Sequence, residues 1–388
     1  MRRQFRGQPQ RLLLCLRDDK LDEDQKWAED FMPVWNQVRE VMLGPEPTSI
    51  DGIAECLATQ GAITLKDNYE AAQAAKDLVF SILGWQTMLY KPDFVSYSAG
   101  YGIVDELDGY HGEARICHNQ FALASAQDMP NFLLGFGMML SPRNYCGMEG
   151  ADDRALFNQT KTARSGDMDA YTLTKVCGVR VQWVDSLSCH LELDSSSGTL
   201  FVFRYPSFCL ASLRQQRRKD ASKSVLHSCG LERPGSIPWA TEEDITELLR
   251  EILLSYRLIF GQNKRSRAVF RRLRPFAGVS KEEEDPFLSQ LCGRKRPDYP
   301  GDITLVEREE YDLAGDFPHL RSKIVRIHGY ASSRKPRSLR QLWMDKRDST
   351  AWLALWSVLI FGSLSILLAL IQAVFQILQY VDGIRNSG

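Results

Sequence analysis

At 388 residues the chain is long enough for two or three domains, and 44% apolar with 25% charged residues excludes wholesale disorder, collagen-like repeats and a multi-span membrane protein. Its 48 basic and 49 acidic residues leave a formal net charge of −1, which demands neither a polyanionic nor an acidic partner. The 9 cysteines include no Cys-x-x-Cys pair, so they read as reduced thiols in a cytosolic compartment rather than as a disulfide framework. Cys117-His118 and Cys189-His190 are adjacent pairs, and neighbouring side chains seldom reach one metal, so no metal site and no cofactor are expected.

Arg2, Arg3, Arg6 and Arg11 precede the apolar run Leu12-Leu13-Leu14-Cys15-Leu16, which is shorter than the roughly 7 to 15 residues of a secretory core segment. The start reads as a basic tail, with a mitochondrial presequence as the second reading. Residues 27–43 predict a helix interrupted early by Pro33 and ended by Gly44-Pro45-Glu46-Pro47. A second helix is expected from Ile50. A third covers residues 68–90 and stops before Lys91-Pro92, because the residue before proline resists the α region.

Residues 92–166, rich in Gly, Pro, Asn and Asp, predict irregular structure with small elements such as the apolar run 131–140. Asp105, Glu106, Asp108, His111 and Glu113 form an acidic patch there. Two carboxylates and a histidine suit acid–base or metal chemistry, but the spacing matches no motif, and a solvated loop is the expected role. Alternating apolar residues over 179–184, 191–194 and 199–204, with the turn Ser195-Ser196-Ser197-Gly198, predict strands and a hairpin. Asp185 is placed to cap a short helix between them. Helix, strand, helix and hairpin in this order fit a winged-helix layout, used for protein interaction as well as for DNA.

Thr241 and Asp244 approximate a capping box, and Ile245, Leu248, Leu249, Ile252, Tyr256 and Ile259 form the apolar stripe of an amphipathic helix. Residues 264–274 carry six basic residues interleaved with Val269, Phe270 and Leu273, expected to be a basic helix packed by its apolar side; nucleic acid or lipid headgroups are the other readings. A last soluble helix is expected near residues 317–330.

Residues 349–381 hold no charged side chain, and 353–375 alone would span about 34 Å at roughly 1.5 Å per residue, enough for a bilayer core of about 30 Å. Trp352, Trp356 and Tyr380 stand where interfacial aromatic belts form. Arg334, Lys335, Arg337, Arg340, Lys346 and Arg347 precede the span and are placed to contact anionic lipid, whereas only Asp382 and Arg385 follow it. The positive-inside rule therefore sets the N-terminal bulk in the cytosol, in the layout of a tail-anchored protein, with endoplasmic reticulum or plasma membrane the expected host and mitochondria second. Gly362, Ser365, Ala369, Gln372, Gln376 and Gln379 recur at spacings of 3 and 4, so small and amide side chains share a face suited to pairing with itself or with another membrane helix.

The expected fold class is α+β: a mostly helical cytosolic part with a small winged-helix-like β-hairpin region and one C-terminal transmembrane α-helix. The expected divisions are 1–45, 46–165, 166–275, 276–348, 351–377 and 378–388. No P-loop, Gly-x-Gly-x-x-Gly, Gly-x-Ser-x-Gly or His-Glu-x-x-His motif occurs.

The run Gly84-Trp85-Gln86-Thr87-Met88-Leu89-Tyr90, the segment Trp183-Val184-Asp185 with His190-Leu191, and Phe203-Arg204-Tyr205-Pro206-Ser207-Phe208-Cys209 together resemble a family of filamentous-fungal proteins that end in one membrane helix. Leu254-Ser255-Tyr256-Arg257, Leu291-Cys292-Gly293-Arg294 and Trp343 with Asp345-Lys346-Arg347-Asp348 extend the likeness, which covers the chain from about residue 70. The resemblance implies an anchor and no particular activity. Three functions are weighed on the residues: a membrane-anchored cytosolic interaction or signalling module first, an enzyme using the patch from Asp105 to Glu113 or Cys189 and His190 second, and membrane-proximal nucleic-acid binding third.

Overall fold

Proline and serine set the first helices of the computed structural model, which describes residues 10–16, 27–46, 48–63, 69–97, 99–109, 116–148, 150–217, 223–298, 304–334 and 349–385. Pro33 stands in the first turn of helix α1 (Met32–Met42), where its missing N–H costs nothing, and a π-helical turn, Trp27–Phe31, precedes it. Helix α2 (Ile50–Thr59) starts where the Ser49 hydroxyl accepts the Gly52 N–H at 3.1 Å. Helix α3 (Tyr69–Thr87) ends before Pro92, as the sequence predicts. Of the apolar N-terminal run, Cys15 and Leu16 are buried in the core and Leu13 packs against it.

Strands β1 (Pro92–Asp93), β2 (Gly100–Ile103) and β3 (Asn119–Phe121) form a small antiparallel sheet in that order. Helices α4 (Met129–Leu134) and α5 (Ala151–Gln159) follow. The rings of Phe80, Tyr101 and Phe132 join α3, β2 and α4, with centroids 5.1 Å apart for Phe80–Tyr101 and 5.9 Å for Phe80–Phe132. Such pairs add about 0.5–1.5 kcal/mol each beyond the area they bury. The stretch 92–166 thus holds the small elements expected of it, and Tyr101 and Phe132 within it join Phe80 in an aromatic cluster.

Strand β4 (Thr162–Arg164) finds its partner far along the chain. Strands β5 (Arg180–Val184), β6 (Leu193–Asp194) and β7 (Thr199–Phe203) form a second sheet with β7 in the middle. All five residues of β7 are buried, as a strand covered on both faces must be. The β6–β7 hairpin is present as expected: Asp194 accepts the Ser196 and Ser197 N–H groups at 2.8 and 3.3 Å, and Gly198 takes φ +66° to close the turn. Strand β5 pairs with β7 in parallel, an arrangement beyond the expected hairpin. Leu187–Cys189 forms a short 3-10 turn without a side-chain cap, because the Asp185 carboxylate instead pairs with Arg204.

Helices α6 (Pro206–Arg217), α7 (Glu242–Tyr256), α8 (Lys264–Leu273) and α9 (Pro286–Gly293) come next, then strand β8 (Glu310–Asp312), which pairs antiparallel with β4, and helix α10 (Arg321–Ser333). The capping box of α7 is complete: Thr241 Oγ1 accepts the Asp244 N–H at 3.2 Å and Asp244 Oδ2 accepts the Thr241 N–H at 2.8 Å. Its whole predicted apolar stripe is buried. Helix α8 packs by Val269 and Phe270, as expected, and the Phe270 ring lies 6.1 Å from Trp183 on β5. Helix α10 starts later than the sequence suggests, because Phe317 precedes Pro318 and leaves the helical region (φ −140°, ψ 48°).

Between α7 and α8, the buried Arg257 guanidinium ties three segments together. It meets Glu307 at 2.6 Å and donates to the carbonyls of Leu291, Arg294 and Lys295. Gly261 makes room for it, since a Cβ there would lie 2.3 Å from Arg257 Nη1.

Helix α11 (Ser349–Arg385) closes the chain with 37 residues. Within it Trp356–Val381 has a mean hydropathy of 2.5, and none of its most apolar stretch is buried. At about 1.5 Å per residue, 26 residues cover about 39 Å, more than a hydrocarbon core of about 30 Å. Among the described residues this is the one helix long and apolar enough to cross a membrane.

Candidate functional site

The anchor residues proposed for helix pairing all lie on exposed turns of α11. Gly362 has open space where a Cβ would be, and Ala369, Gln372, Gln376 and Gln379 are exposed. Ser365 donates its hydroxyl to the Phe361 carbonyl at 2.8 Å, so its polarity is satisfied within the helix and its small size is what it offers a neighbour. Of the basic residues before the anchor, Arg334 stacks over the Tyr330 ring, 4.7 Å from its centroid, and donates to the Tyr330 hydroxyl at 2.9 Å. Lys335, Arg337, Arg340, Lys346 and Arg347 lie outside the described residues.

The acidic patch is used for construction where it is described. Asp105 accepts the N–H groups of Leu107, at 3.0 Å, and Gly109. Glu106 accepts the N–H groups of Asp185 at 3.1 Å and Ser186 at 2.7 Å, fastening the loop after β2 to the end of β5, and Asp108 accepts from Gln182 at 3.3 Å. His118, not predicted to join the patch, stands 3.4 Å from Asp105. His111 and Glu113 lie outside the described residues.

Cys189 and His190 are both buried. Burial pushes the Cys189 thiol up to about 12, with the nearby Glu106 adding to the rise, so it is held protonated at neutral pH. His190 Nε2 shares a hydrogen bond with Ser255 Oγ at 2.8 Å and Nδ1 accepts the Phe203 N–H at 3.3 Å. Burial, reinforced by Lys323, depresses its pKa well below the usual value and favours a neutral ring. Both imidazole nitrogens are committed to fold contacts.

A polar cleft of about 340 Å³ opens between the turn at Ser165, the start of α8 and the segment before β8. Its polar groups are held by fold contacts: Asp169 accepts from Asn263 at 2.6 Å and from the Thr172 N–H at 2.8 Å, and Glu307 meets Arg257.

One further constellation went unrecognised in the sequence. Helix α7 presents Asp244, Glu247 and Glu251 at positions i, i+3 and i+7, one face of a 3.6-residue helix. His319, in the turn before α10, is brought against that face. Both Glu251 oxygens accept the His319 N–H, at 3.1 and 3.0 Å, and one accepts the Leu320 N–H at 2.8 Å. Burial nevertheless pushes the Glu251 carboxyl up to about 8, partly offset by these donors. His319 Nε2 lies 3.7 Å from Asp244, 3.6 Å from Glu247 and 3.9 Å from Glu251. Arg143 approaches Glu247 from outside, donating to Oε1 at 3.1 Å and standing 2.9 Å from Oε2 as an ion pair without hydrogen-bond alignment.

No family model, curated protein or solved structure matches the chain.

Proposed function

We propose that the chain is a membrane-anchored interaction or signalling module, with its folded part at the cytosolic face of the membrane and its span pairing with another membrane helix. The observation that carries this reading is the contrast between α11, whose apolar side chains are exposed along the span, and the remainder, most of whose apolar side chains are gathered in one core. Water tolerates the second surface but not the first, so the two parts call for different solvents. The basic residues from 334 to 347, against a sparse far flank, support the cytosolic orientation. The burial of Cys189 and the hydrogen bonds held by His190, Asp105 and Glu106 support a binding role over catalysis, and exposed apolar side chains at Val95, Phe121 and Leu123 around the small sheet fit contact with other proteins.

Protease added to intact microsomes carrying the full chain tests the orientation. Residues 1–348 are expected to be digested while a fragment near the size of α11 survives; protection of the folded part until detergent is added would overturn the cytosolic assignment.

A further inference from the structure

We infer that Asp244, Glu247 and His319 form a binding site for a divalent transition-metal ion of the Zn2+ type, pinning α7 to the turn that starts α10. The His319 imidazole is held from behind by the backbone. Nδ1 stands 2.9 Å from the Ser141 carbonyl oxygen, an acceptor, so Nδ1 carries the hydrogen and donates it, and in the neutral ring Nε2 is left with its lone pair. Nε2 is buried, has no hydrogen-bond partner, and points at carboxylate oxygens. A lone pair facing anionic oxygens is repulsive; a cation between them turns every one of these contacts attractive.

The spacing fits such an ion. Nitrogen and oxygen ligands bind zinc at about 2.0–2.2 Å, which sets two ligands of a tetrahedron about 3.4 Å apart. Nε2 lies 3.6 Å from Glu247 Oε2 and 3.7 Å from Asp244 Oδ1, and the three ligand atoms lie within 4.8 Å of one another. Small side-chain rotations close that difference. Asp244 has Oδ1 to offer because Oδ2 is held by the Thr241 N–H. The backbone carbonyl behind Nδ1 is the outer contact that metal-bound histidines commonly have, and the Glu251 bonds to the His319 and Leu320 N–H groups fix the turn that carries the ring. An imidazole nitrogen among carboxylates favours Zn2+ or Mn2+ over the all-oxygen environments of Mg2+ and Ca2+. Entry is from the Glu247 side, whose side chain is 37% exposed. Arg143 guards that entrance and competes with the metal for Glu247.

The test uses the full chain in detergent micelles, stripped with chelator, then titrated with Zn2+ and, in parallel, with Co2+ for its visible spectrum. The expected result is one ion per chain at this site, with a Co2+ spectrum of nitrogen and oxygen ligation and a raised Tm. His319→Gln should weaken Zn2+ binding at least 100-fold and the partly exposed, isosteric Glu247→Gln at least 10-fold, whereas Arg143→Gln should tighten it several-fold by removing the competing cation. Glu247→Gln alone decides the matter should His319→Gln misfold. Zn2+ affinity unchanged in Glu247→Gln, thiolate charge-transfer bands with Co2+, or no bound metal in the folded chain would each overturn the site.

Discussion

At the scale of single residues, His227 shows how burial sets pH sensitivity. It is 1% exposed, with Nδ1 sharing a hydrogen bond with Ser224 at 2.6 Å and Nε2 with Thr246 at 3.0 Å. Desolvation lowers its pKa to about 4; Glu242 opposes the shift and Lys223 adds to it. The unfolded histidine, near 6.5, binds more protons than the folded one between those values, so stability is fully present above about pH 6.5 and is lost as pH falls toward 4. The whole shift corresponds to roughly 3 kcal/mol. His190, depressed in the same direction, adds to the decline. Both histidines therefore draw Tm down between pH 7 and pH 5, while Glu251, raised to about 8, binds its proton in the folded state and pulls the other way. His227→Gln is thus expected to lose less Tm than the native chain over that interval while having a lower Tm at pH 7. An equal pH gap in the variant, measured by thermal unfolding, would show that His227 is not a source of the sensitivity.

Among the elements, α11 presents Gly362, Ser365, Ala369, Gln372, Gln376 and Gln379 with the 3-and-4 spacing of a helix-pairing seam. Lipid gives no reward for aligning small and amide side chains, whereas a facing helix gains close packing and hydrogen bonds of about 0.6 kcal/mol each. Replacing Gly362 and Ala369 with Leu makes the span more apolar while blocking close approach. A bilayer association reporter should show weaker pairing of this double variant, and of Gln372→Leu, than of the native span at equal insertion. Equal signals from all three would assign the stripe no pairing role.

Elements also show what sequence made legible. The capping box at Thr241 and Asp244, the stripe of α7, the basic helix α8 and the apolar length of α11 are local patterns, and each is realised where periodicity places it. The Ser195–Gly198 turn is likewise local. The parallel pairing of β5 with β7 is not, because a period of two fixes which face a residue occupies but not which strand lies alongside. Thr162 pairs with Asp312 on the same footing, across most of the fold. The cluster at Asp244, Glu247 and His319 was hidden for this reason: on α7 the carboxylates read as an ordinary polar face, and only the packed chain brings the imidazole to them. Conversely, Asp105 and Glu106 looked chemical as neighbours in sequence and are instead spent on backbone N–H groups.

The whole molecule is built for two solvents, with a folded body around a continuous core and a helix whose exposed apolar surface suits lipid. A charge at the middle of a spanning helix costs about 2.5–3.5 kcal/mol, so two arginines there remove much of the reason to stay inserted. The direct measurement is flotation of membranes from cells making the full chain, after alkaline carbonate extraction, for the native protein and for Leu367→Arg with Leu370→Arg. The native chain is expected to float with lipid after extraction and the double variant to remain at the bottom of the gradient. A native chain released by carbonate, or a double variant that floats as well as the native one, would contradict a membrane-spanning anchor.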